Sequence, residues 1–153
     1  MAFEIAIAAG ISIIWVAFAG KEYGYNTPCP VIMGLNVFLL IAWTAGLTFV
    51  YNVYLWVEEK AAIKNPWLQF LVFWFIHSVL IITLEAVGYH ILGIKNLAAA
   101  RYPGLPLLNC LHAPRWMQAA YFTLGPAMFI GCKVLGRVRI FAAPPGDAGR
   151  WSG

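Results

Sequence analysis

The strongest constraint on how this chain folds is the position of its charged residues. No Lys, Arg, Asp or Glu lies between Glu22 and Glu58, and Glu85 is the only one between Lys64 and Lys95. Charged residues make up 10% of the 153 residues and the mean hydropathy is +0.77, whereas a soluble domain has about 25% charged residues. The sequence therefore predicts an integral membrane protein with one acidic side chain, Glu85, far from both ends of its apolar segment.

Four uninterrupted apolar segments are long enough to cross a bilayer as helices, which takes about 20 residues each. Because every backbone polar group in lipid must be paired within its own segment, we expect all four to be helical. The predicted fold is therefore all-α, an integral membrane four-helix bundle. We expect a single four-span domain of residues 1–141 and a disordered C-terminal tail of residues 142–153, which is rich in Pro and Gly. The predicted helices cover residues 3–19, 31–57, 66–92 and 116–136.

Two local signals refine these helices. Asn65 followed by Pro66 is typical of an N-cap with proline at the first helical position. Pro126 lies inside the fourth segment and has no N–H, so it should kink that helix and free a carbonyl about one turn earlier, near Phe122. The third helix is thus predicted to begin at Pro66 and the fourth to bend.

Basic residues at the segment ends predict the orientation. With four spans, both termini share one side with the short connection between the second and third spans. Six basic residues lie on that side and four on the other: Lys60, Lys64, Lys133, Arg137, Arg139 and Arg150 against Lys21, Lys95, Arg101 and Arg115. Because basic residues are enriched in cytoplasmic loops, we predict cytoplasmic termini and a location in the bacterial inner membrane.

The third helix carries the polar side chains that point to chemistry. From Pro66, His77 lies about 16 Å along this helix and Glu85 about 28 Å, and the eight steps between them rotate by only about 80°. A charged carboxylate in lipid costs at least about 2.5 kcal/mol, so Glu85 should be protonated, paired or open to water. A neutral carboxylic acid is a usable general acid and a neutral imidazole a usable base. We predict Glu85 as the catalytic acid, with His77 or His112 as its partner base. The alternative is a hydrated Glu85 and a His77 that only links two helices.

Side chains on two helices are predicted to position the carboxyl of Glu85. Counted in depth, Asn36 falls near the level of Glu85, and Thr44 near that of His77. We therefore predict that Asn36 pairs with Glu85 and Thr44 with His77. Tyr89, four residues after Glu85, shares its helix face and is predicted to hydrogen-bond its carboxyl.

Two deep tryptophans and one glycine are candidates for a ligand cavity. Trp43 and Trp74 lie far from the predicted interfaces and can line a cavity for a flat or cationic species, or simply pack against lipid and neighbouring helices. Gly88 lies at nearly the same angle around the third helix as His77 and offers a smooth surface to a helix or a ligand. Together these residues predict an aromatic-walled site for an apolar molecule.

The long connection between the third and fourth helices is unusually apolar from Tyr102 to Leu108. A freely solvated loop would be more polar, so we expect this segment either to anchor in the interface or to fold down as a lid over the bundle. In either case Asn109, His112 and Arg115 come within reach of the outer end of the third helix. We therefore include these three residues in the predicted site.

The cysteines and histidines limit the chemistry. Cys29 and Cys110 are predicted on the same side of the membrane, where either a disulfide or two unlinked thiols is consistent with the sequence. Three scattered histidines, without an HExxH, CxxC or glycine-rich phosphate motif, predict neither a metal nor another cofactor. The net charge of +4 is modest and its basic residues are dispersed, which argues against nucleic-acid binding.

These observations favour a small membrane-embedded enzyme that acts by acid–base chemistry on an apolar lipid. The predicted substrate is isoprenoid-like or sterol-like, and the predicted reaction is that of an isomerase, a cyclase or a hydratase. A second hypothesis is a non-catalytic subunit, in a homo-oligomer or a larger membrane complex, that binds partner helices, a quinone or a pigment. A third is a proton-coupled channel or carrier with Glu85 as its relay.

Overall fold

The fold is all-helical apart from one small hairpin, as seen in a computed structural model that describes residues 1–22, 24–26 and 29–142. Short 3₁₀ helices follow α1 at Gly20–Glu22 and precede α4 at Leu97–Ala100. The tail predicted to be disordered, residues 142–153, lies outside the described residues except for Ala142, which ends α4. The elements are α1 (Ala2–Ala19), β1 (Val31–Ile32), β2 (Leu35–Asn36), α2 (Val37–Ala61), α3 (Pro66–His90) and α4 (Arg115–Ala142).

The four helices form an up-and-down bundle in which each helix packs against the next in sequence and α4 returns to α1. Trp15 of α1 contacts Trp116 at the start of α4, with ring centroids 6.2 Å apart. Near the other ends of these helices, Gly136 lies beside Phe3. In the described part of the chain, all four helices are long and apolar enough to cross a membrane. The predicted fold class is confirmed to that extent.

Each half of the bundle has its own buried core. Tyr54, Phe73 and Phe129 pack ring against ring near the α2–α3 turn, with centroids between 5.4 and 5.5 Å apart. Trp15 and Tyr121 anchor the second core, where the long connections meet the helices. We call this second region the loop end and the first the turn end.

The beginning of α3 is as predicted, whereas that of α2 is not. The Oδ1 atom of Asn65 accepts hydrogen bonds from the backbone N–H groups of residues 67 and 68, at 2.9 and 3.3 Å, and so caps α3. The prediction that the second helix begins at Val31 is wrong, because β1 and β2 form a hairpin before Val37. Met33 and Gly34 have φ values of 53° and 79°, as a type I′ hairpin turn requires, and a helix cannot contain them.

Pro126 of α4 frees a backbone carbonyl one turn earlier, as predicted. The carbonyl of Phe122, which Pro126 leaves without its helical donor, accepts a hydrogen bond from Nε1 of Trp74 at 3.0 Å. Nε2 of His77 lies 2.9 Å from the neighbouring carbonyl of Tyr121 and donates to it, because a carbonyl can only accept. Two donors from α3 therefore bind neighbouring carbonyls of α4, about one turn before Pro126, and link these helices.

The connection from α3 to α4 packs onto the loop end only through its last residues, whereas the apolar segment predicted as an anchor or a lid, residues 102–108, is half-buried to exposed. Cys110, Leu111 and Ala113 are almost completely buried and belong to the core at that end. Two side-chain hydrogen bonds from Gln118 of α4, to the carbonyls of Pro103 and Leu111, hold the connection in place. No disulfide links Cys29 to Cys110, so packing and hydrogen bonds hold this region.

Candidate functional site

An apolar cavity of about 300 Å³ lies between α2 and α3 in the half of the bundle nearest the loop end. Its size is at the lower end of the range of small-molecule sites, about 300 to 1,000 Å³. Phe38, Leu84 and Leu92 at its edge are strongly exposed, so the cavity opens sideways between the two helices. Its inner wall includes Leu39, Trp43, Gly46, Leu47, His77, Leu80, Ile81 and Gly88.

A second, much smaller space adjoins this cavity and has a polar wall. We call it the polar chamber; its volume is about 30 Å³, enough for a few water molecules at about 10–15 Å³ of such space each. Four residues line both spaces, and the chamber adds Asn96, Leu111, His112 and Tyr121. The shared residues are Tyr25, Glu85, Tyr89 and Ile94. The two spaces therefore form one site with an apolar part and a polar part.

Glu85 lies at the junction of the two spaces. Its side chain is half-buried, and no hydrogen bond or ion pair reaches its carboxyl from the described part of the chain. The predicted bonds from Asn36 and from the Tyr89 hydroxyl to this carboxyl are not present among those residues. The carboxyl is thus open to whatever molecule occupies the site.

His77 is held as a structural link that also lines the cavity. Its side chain is 2% exposed, and its Nε2–H group is committed to the Tyr121 carbonyl. This bond makes Nδ1 the unprotonated nitrogen of a neutral ring, and Nδ1 is buried without a hydrogen-bond partner. The predicted pairing with Thr44 is absent. The partner base of Glu85 is therefore better sought in the polar chamber.

His112 reaches the chamber because the connection around it is tightly folded. Its ring stacks on Tyr89, with centroids 4.4 Å apart and planes 23° apart. A Cβ atom at Gly104 would lie 2.9 Å from Nε2 of His112 and from the carbonyl oxygen of Cys110, so only glycine lets the loop close this far. Leu111 has a φ of 57°, which costs a non-glycine residue about 1–3 kcal/mol. The loop thus holds the imidazole beside Glu85 at a cost in backbone strain.

The two deep tryptophans have different positions. Trp43 lines the cavity and stacks on Tyr121, with centroids 5.3 Å apart and planes 23° apart. Trp74 lines neither space, because its indole is directed to the α4 carbonyl of Phe122. Only Trp43 therefore lies where it can contact a ligand in the cavity.

The remaining predicted residues lie outside both spaces. Asn36 caps α2, since its Oδ1 accepts from the backbone N–H of Leu39 at 3.2 Å. Thr44 lines a groove between α1 and α2 instead of the cavity. Asn109 and Arg115 are exposed, the first in a left-handed turn and the second at the start of α4. The geometry assigns these four residues structural or surface positions.

Five residues of the chamber were not predicted from the sequence, of which three have polar side chains: Tyr25, Asn96 and Tyr121. Tyr25 and Asn96 come together because residues 24–26 pair with residues 93–97, a contact that we call the clasp. In the clasp the Asn26 N–H donates to the Lys95 carbonyl at 3.1 Å, and the Lys95 N–H donates to Oδ1 of Asn26 at 2.9 Å. Nothing in the local sequence marks this long-range pairing.

The chamber wall should respond to pH through His112. Burial lowers the pKa of His112 below its ordinary value of about 6.5, and the nearby His90 lowers it further. Because the pKa of His112 is lower in the closed loop than in the open loop, its imidazole binds a proton more readily when the loop is open. The closed loop is therefore most stable above about pH 6.5 and loses stability as the pH falls.

Labelling of the Cys110 thiol measures this opening, because Cys110 is fully buried in the closed loop. The rate of maleimide labelling of Cys110 is measured by mass spectrometry for the wild type and for His112→Gln at each pH. The ratio of the two rates removes the effect of the thiol's own titration, since both proteins carry the same cysteine. We expect the ratio of wild-type to variant rates to rise several-fold from about pH 8 to about pH 5. A ratio that does not change with pH would contradict this coupling.

These features define a class: a bundle of four apolar helices with a lateral apolar cavity and one carboxyl group at its polar end. No family model, curated protein or solved structure matches this chain. Among the described residues, no group of three or more His, Cys, Asp or Glu side chains is placed to hold a metal ion. The function therefore has to follow from the residues of the site itself.

Proposed function

We propose that this chain is an integral membrane enzyme that performs acid–base chemistry on an apolar, isoprenoid-like or sterol-like lipid. Four apolar helices support insertion in a membrane, and strongly exposed side chains such as Ile14, Phe18 and Phe75 suit contact with lipid. The larger number of basic residues at the turn end favours a cytoplasmic position for that end and both termini. Such an orientation fits the bacterial inner membrane.

One observation carries the proposed chemistry: the carboxyl of Glu85 has no partner in the described chain and faces both an apolar cavity and a polar chamber. A lipid in the cavity would bring carbon atoms next to this acid. The chamber beside it has room for a few water molecules or for a small polar group of the substrate. A proton donor between an apolar site and a polar one suits the protonation of a carbon–carbon double bond.

In the proposed reaction, Glu85 transfers its proton to one carbon of a double bond, whose π electron pair forms the new C–H bond. The neighbouring carbon becomes a cation and Glu85 a carboxylate. Loss of a proton from an adjacent carbon to this carboxylate moves the double bond and completes an isomerisation. Attack by a second double bond before that loss gives a cyclisation, whereas attack by water, which then loses a proton, gives a hydration.

The other residues of the site have supporting roles in this scheme. The imidazole of His112, across the chamber, can accept the departing proton and return it to Glu85. The rings of Tyr25, Trp43 and Tyr89 line the cavity, and each aromatic face stabilises a nearby cation by about 0.5–2 kcal/mol. His77 positions α4 against α3 and contributes its unpartnered Nδ1 to the buried wall.

Deuterium incorporation tests the proposal. The purified protein, reconstituted in lipid nanodiscs in D₂O, is incubated with farnesol, squalene and desmosterol, which carry carbon–carbon double bonds. We expect deuterium bound to carbon in at least one of them, at a rate well above that of protein-free nanodiscs, because the proton of Glu85 comes from solvent. Absence of carbon-bound deuterium in all three lipids would contradict the proposed reaction.

A specific observation favours a second function, that of a subunit which binds a partner helix. The groove between α1 and α2 is lined by apolar residues such as Ile5, Ala9 and Ile41. Thr44 and Thr48 add small polar side chains to this apolar surface, a composition typical of contacts between membrane helices. Turnover by a purified monomer would exclude a purely non-catalytic role, whereas constant stoichiometry with another membrane protein would support it.

A further inference from the structure

The charges around the site limit what kind of lipid it accepts. Among the described residues, no Lys or Arg lines the cavity or the polar chamber. Lys95 lies over the ring of Tyr89, 5.1 Å from its centroid, but is exposed and lines neither space. An anionic head group would enter without a countercharge and would meet the carboxyl of Glu85. Burying such an unpaired charge beside a carboxyl group is strongly unfavourable.

The size of the polar chamber gives an independent limit. A space of about 30 Å³ holds a few groups of the size of a water molecule, since each needs about 10–15 Å³ of such space. A hydroxyl or a carbonyl oxygen fits, whereas a diphosphate, with nine heavy atoms, does not. The carboxyl of Glu85 and the imidazole of His112, which both line this chamber, can exchange hydrogen bonds with such a neutral oxygen.

From these two limits we infer that the ligand is a neutral lipid with a single hydroxyl or carbonyl group, which lies in the polar chamber. This inference rests on the proposal that the site takes a lipid. The apolar body fills the cavity, whose volume of about 300 Å³ corresponds to on the order of ten heavy atoms. The rest of a longer chain leaves sideways between Phe38 and Leu84, which are exposed at the cavity edge. Prenyl diphosphates, fatty acids and phospholipids are excluded.

Two glycines make this inference directly testable. Gly46 of α2 and Gly88 of α3 line the cavity, and a Cβ atom built on either one meets no atom within 4 Å. The side chain of a leucine at these positions would therefore start in open space and extend into the space of the ligand. Gly10 of α1 has the same free surroundings but lies on an exposed face away from the cavity. Gly10→Leu is thus a matched control.

The experiment is competitive photolabelling of the full chain in nanodiscs with a diazirine analogue of farnesol. We expect labelled peptides from α2 and α3, and stronger competition by farnesol than by farnesyl diphosphate, which has the same tail, by about tenfold or more. Gly46→Leu and Gly88→Leu should each reduce specific labelling by about tenfold, since the apolar body loses its space. Gly10→Leu should label like the wild type.

Several outcomes would overturn the inference. Equal competition by farnesyl diphosphate would show that a charged head is accepted. Unchanged labelling of both cavity variants, or no competable labelling at all, would show that the ligand does not occupy this cavity. If labelling follows the expected pattern but no carbon-bound deuterium forms, the inference about the ligand stands and the proposed reaction fails. The two proposals are therefore tested separately.

Discussion

Replacement of Glu85 by Gln is expected to reduce deuterium incorporation into the substrate by about 10²–10⁴-fold, the usual contribution of a general acid or base. Glutamine has nearly the same shape and can still hydrogen-bond a neutral oxygen in the polar chamber. It has no acidic proton to transfer to carbon. Because the carboxyl makes no hydrogen bond or ion pair with the described chain, its loss should leave the fold intact.

The measurement combines the deuterium assay with photolabelling of the same variant. Labelling of Glu85→Gln by the diazirine analogue should stay within a few-fold of the wild type, so that the loss is assigned to chemistry and not to binding. Glu85→Asp, which keeps the acid but withdraws it by one methylene, should recover part of the rate. Glu59→Gln, an exposed change at the end of α2, serves as the control. A fully active Glu85→Gln protein would remove the proposed acid.

Local chemistry explains which features of this fold could be predicted from sequence. Asn65 with Pro66 determines a helix start by itself, since an Asn side chain can satisfy free N–H groups and proline needs none. A proline inside a helix likewise frees a carbonyl about one turn earlier, and Pro126 is such a proline. The sequence does not indicate which donor binds that carbonyl. The indole of Trp74 proved to be that donor.

The hairpin before α2 shows where hydropathy fails. Val31 and Ile32 are as apolar as the helix that follows, and a short apolar run does not distinguish a strand from a helix. The decisive residues are Met33 and Gly34, whose positive φ values reverse the chain. Gly34 alone is a weak signal, because glycine also occurs within apolar helices such as α2, at Gly46.

The composition of the site was less predictable because it depends on which helix faces touch. All sides of a helix in lipid are apolar, so hydrophobic periodicity does not fix its rotation in the bundle. Because Thr44 and His77 lie at similar depths along their helices, they were predicted to pair. Thr44 lies instead on the side of α2 that faces α1. Tyr25 and Asn96 enter the chamber through the clasp, which joins segments about 70 residues apart.

The close contact between α3 and α4 predicts the largest stability effect. Gly125 of α4 packs against the ring of His77, and a Cβ atom there would lie 2.5 Å from Cδ2 and 2.9 Å from Cβ of the histidine. Real Cβ atoms do not approach other atoms so closely, so Gly125→Ala must push α4 away from α3. This shift should also break the hydrogen bond from His77 to the Tyr121 carbonyl.

We expect Gly125→Ala to lower the free energy of unfolding by about 1–3 kcal/mol, although alanine is a better helix former than glycine by about 1 kcal/mol. The free energy is measured by denaturant titration in mixed detergent micelles. Gly10→Ala, where the new methyl meets no atom within 4 Å, should be neutral or stabilising. The opposite signs of the two glycine changes would separate steric collision from helix propensity.

A double variant isolates the His77 contact from other effects of the new methyl group. His77→Ala alone should destabilise the protein, because it removes both the packed ring and its hydrogen bond to the Tyr121 carbonyl of α4. In the His77→Ala background, however, Gly125→Ala should cost much less than in the wild type, since the atoms that it would strike are gone. Equal costs in both backgrounds would mean that the histidine does not set the distance between α3 and α4. If Gly125→Ala is as stable as the wild type, the close packing of α3 against α4 is contradicted. The position of α3, which brings Glu85 to the cavity, would then be contradicted as well.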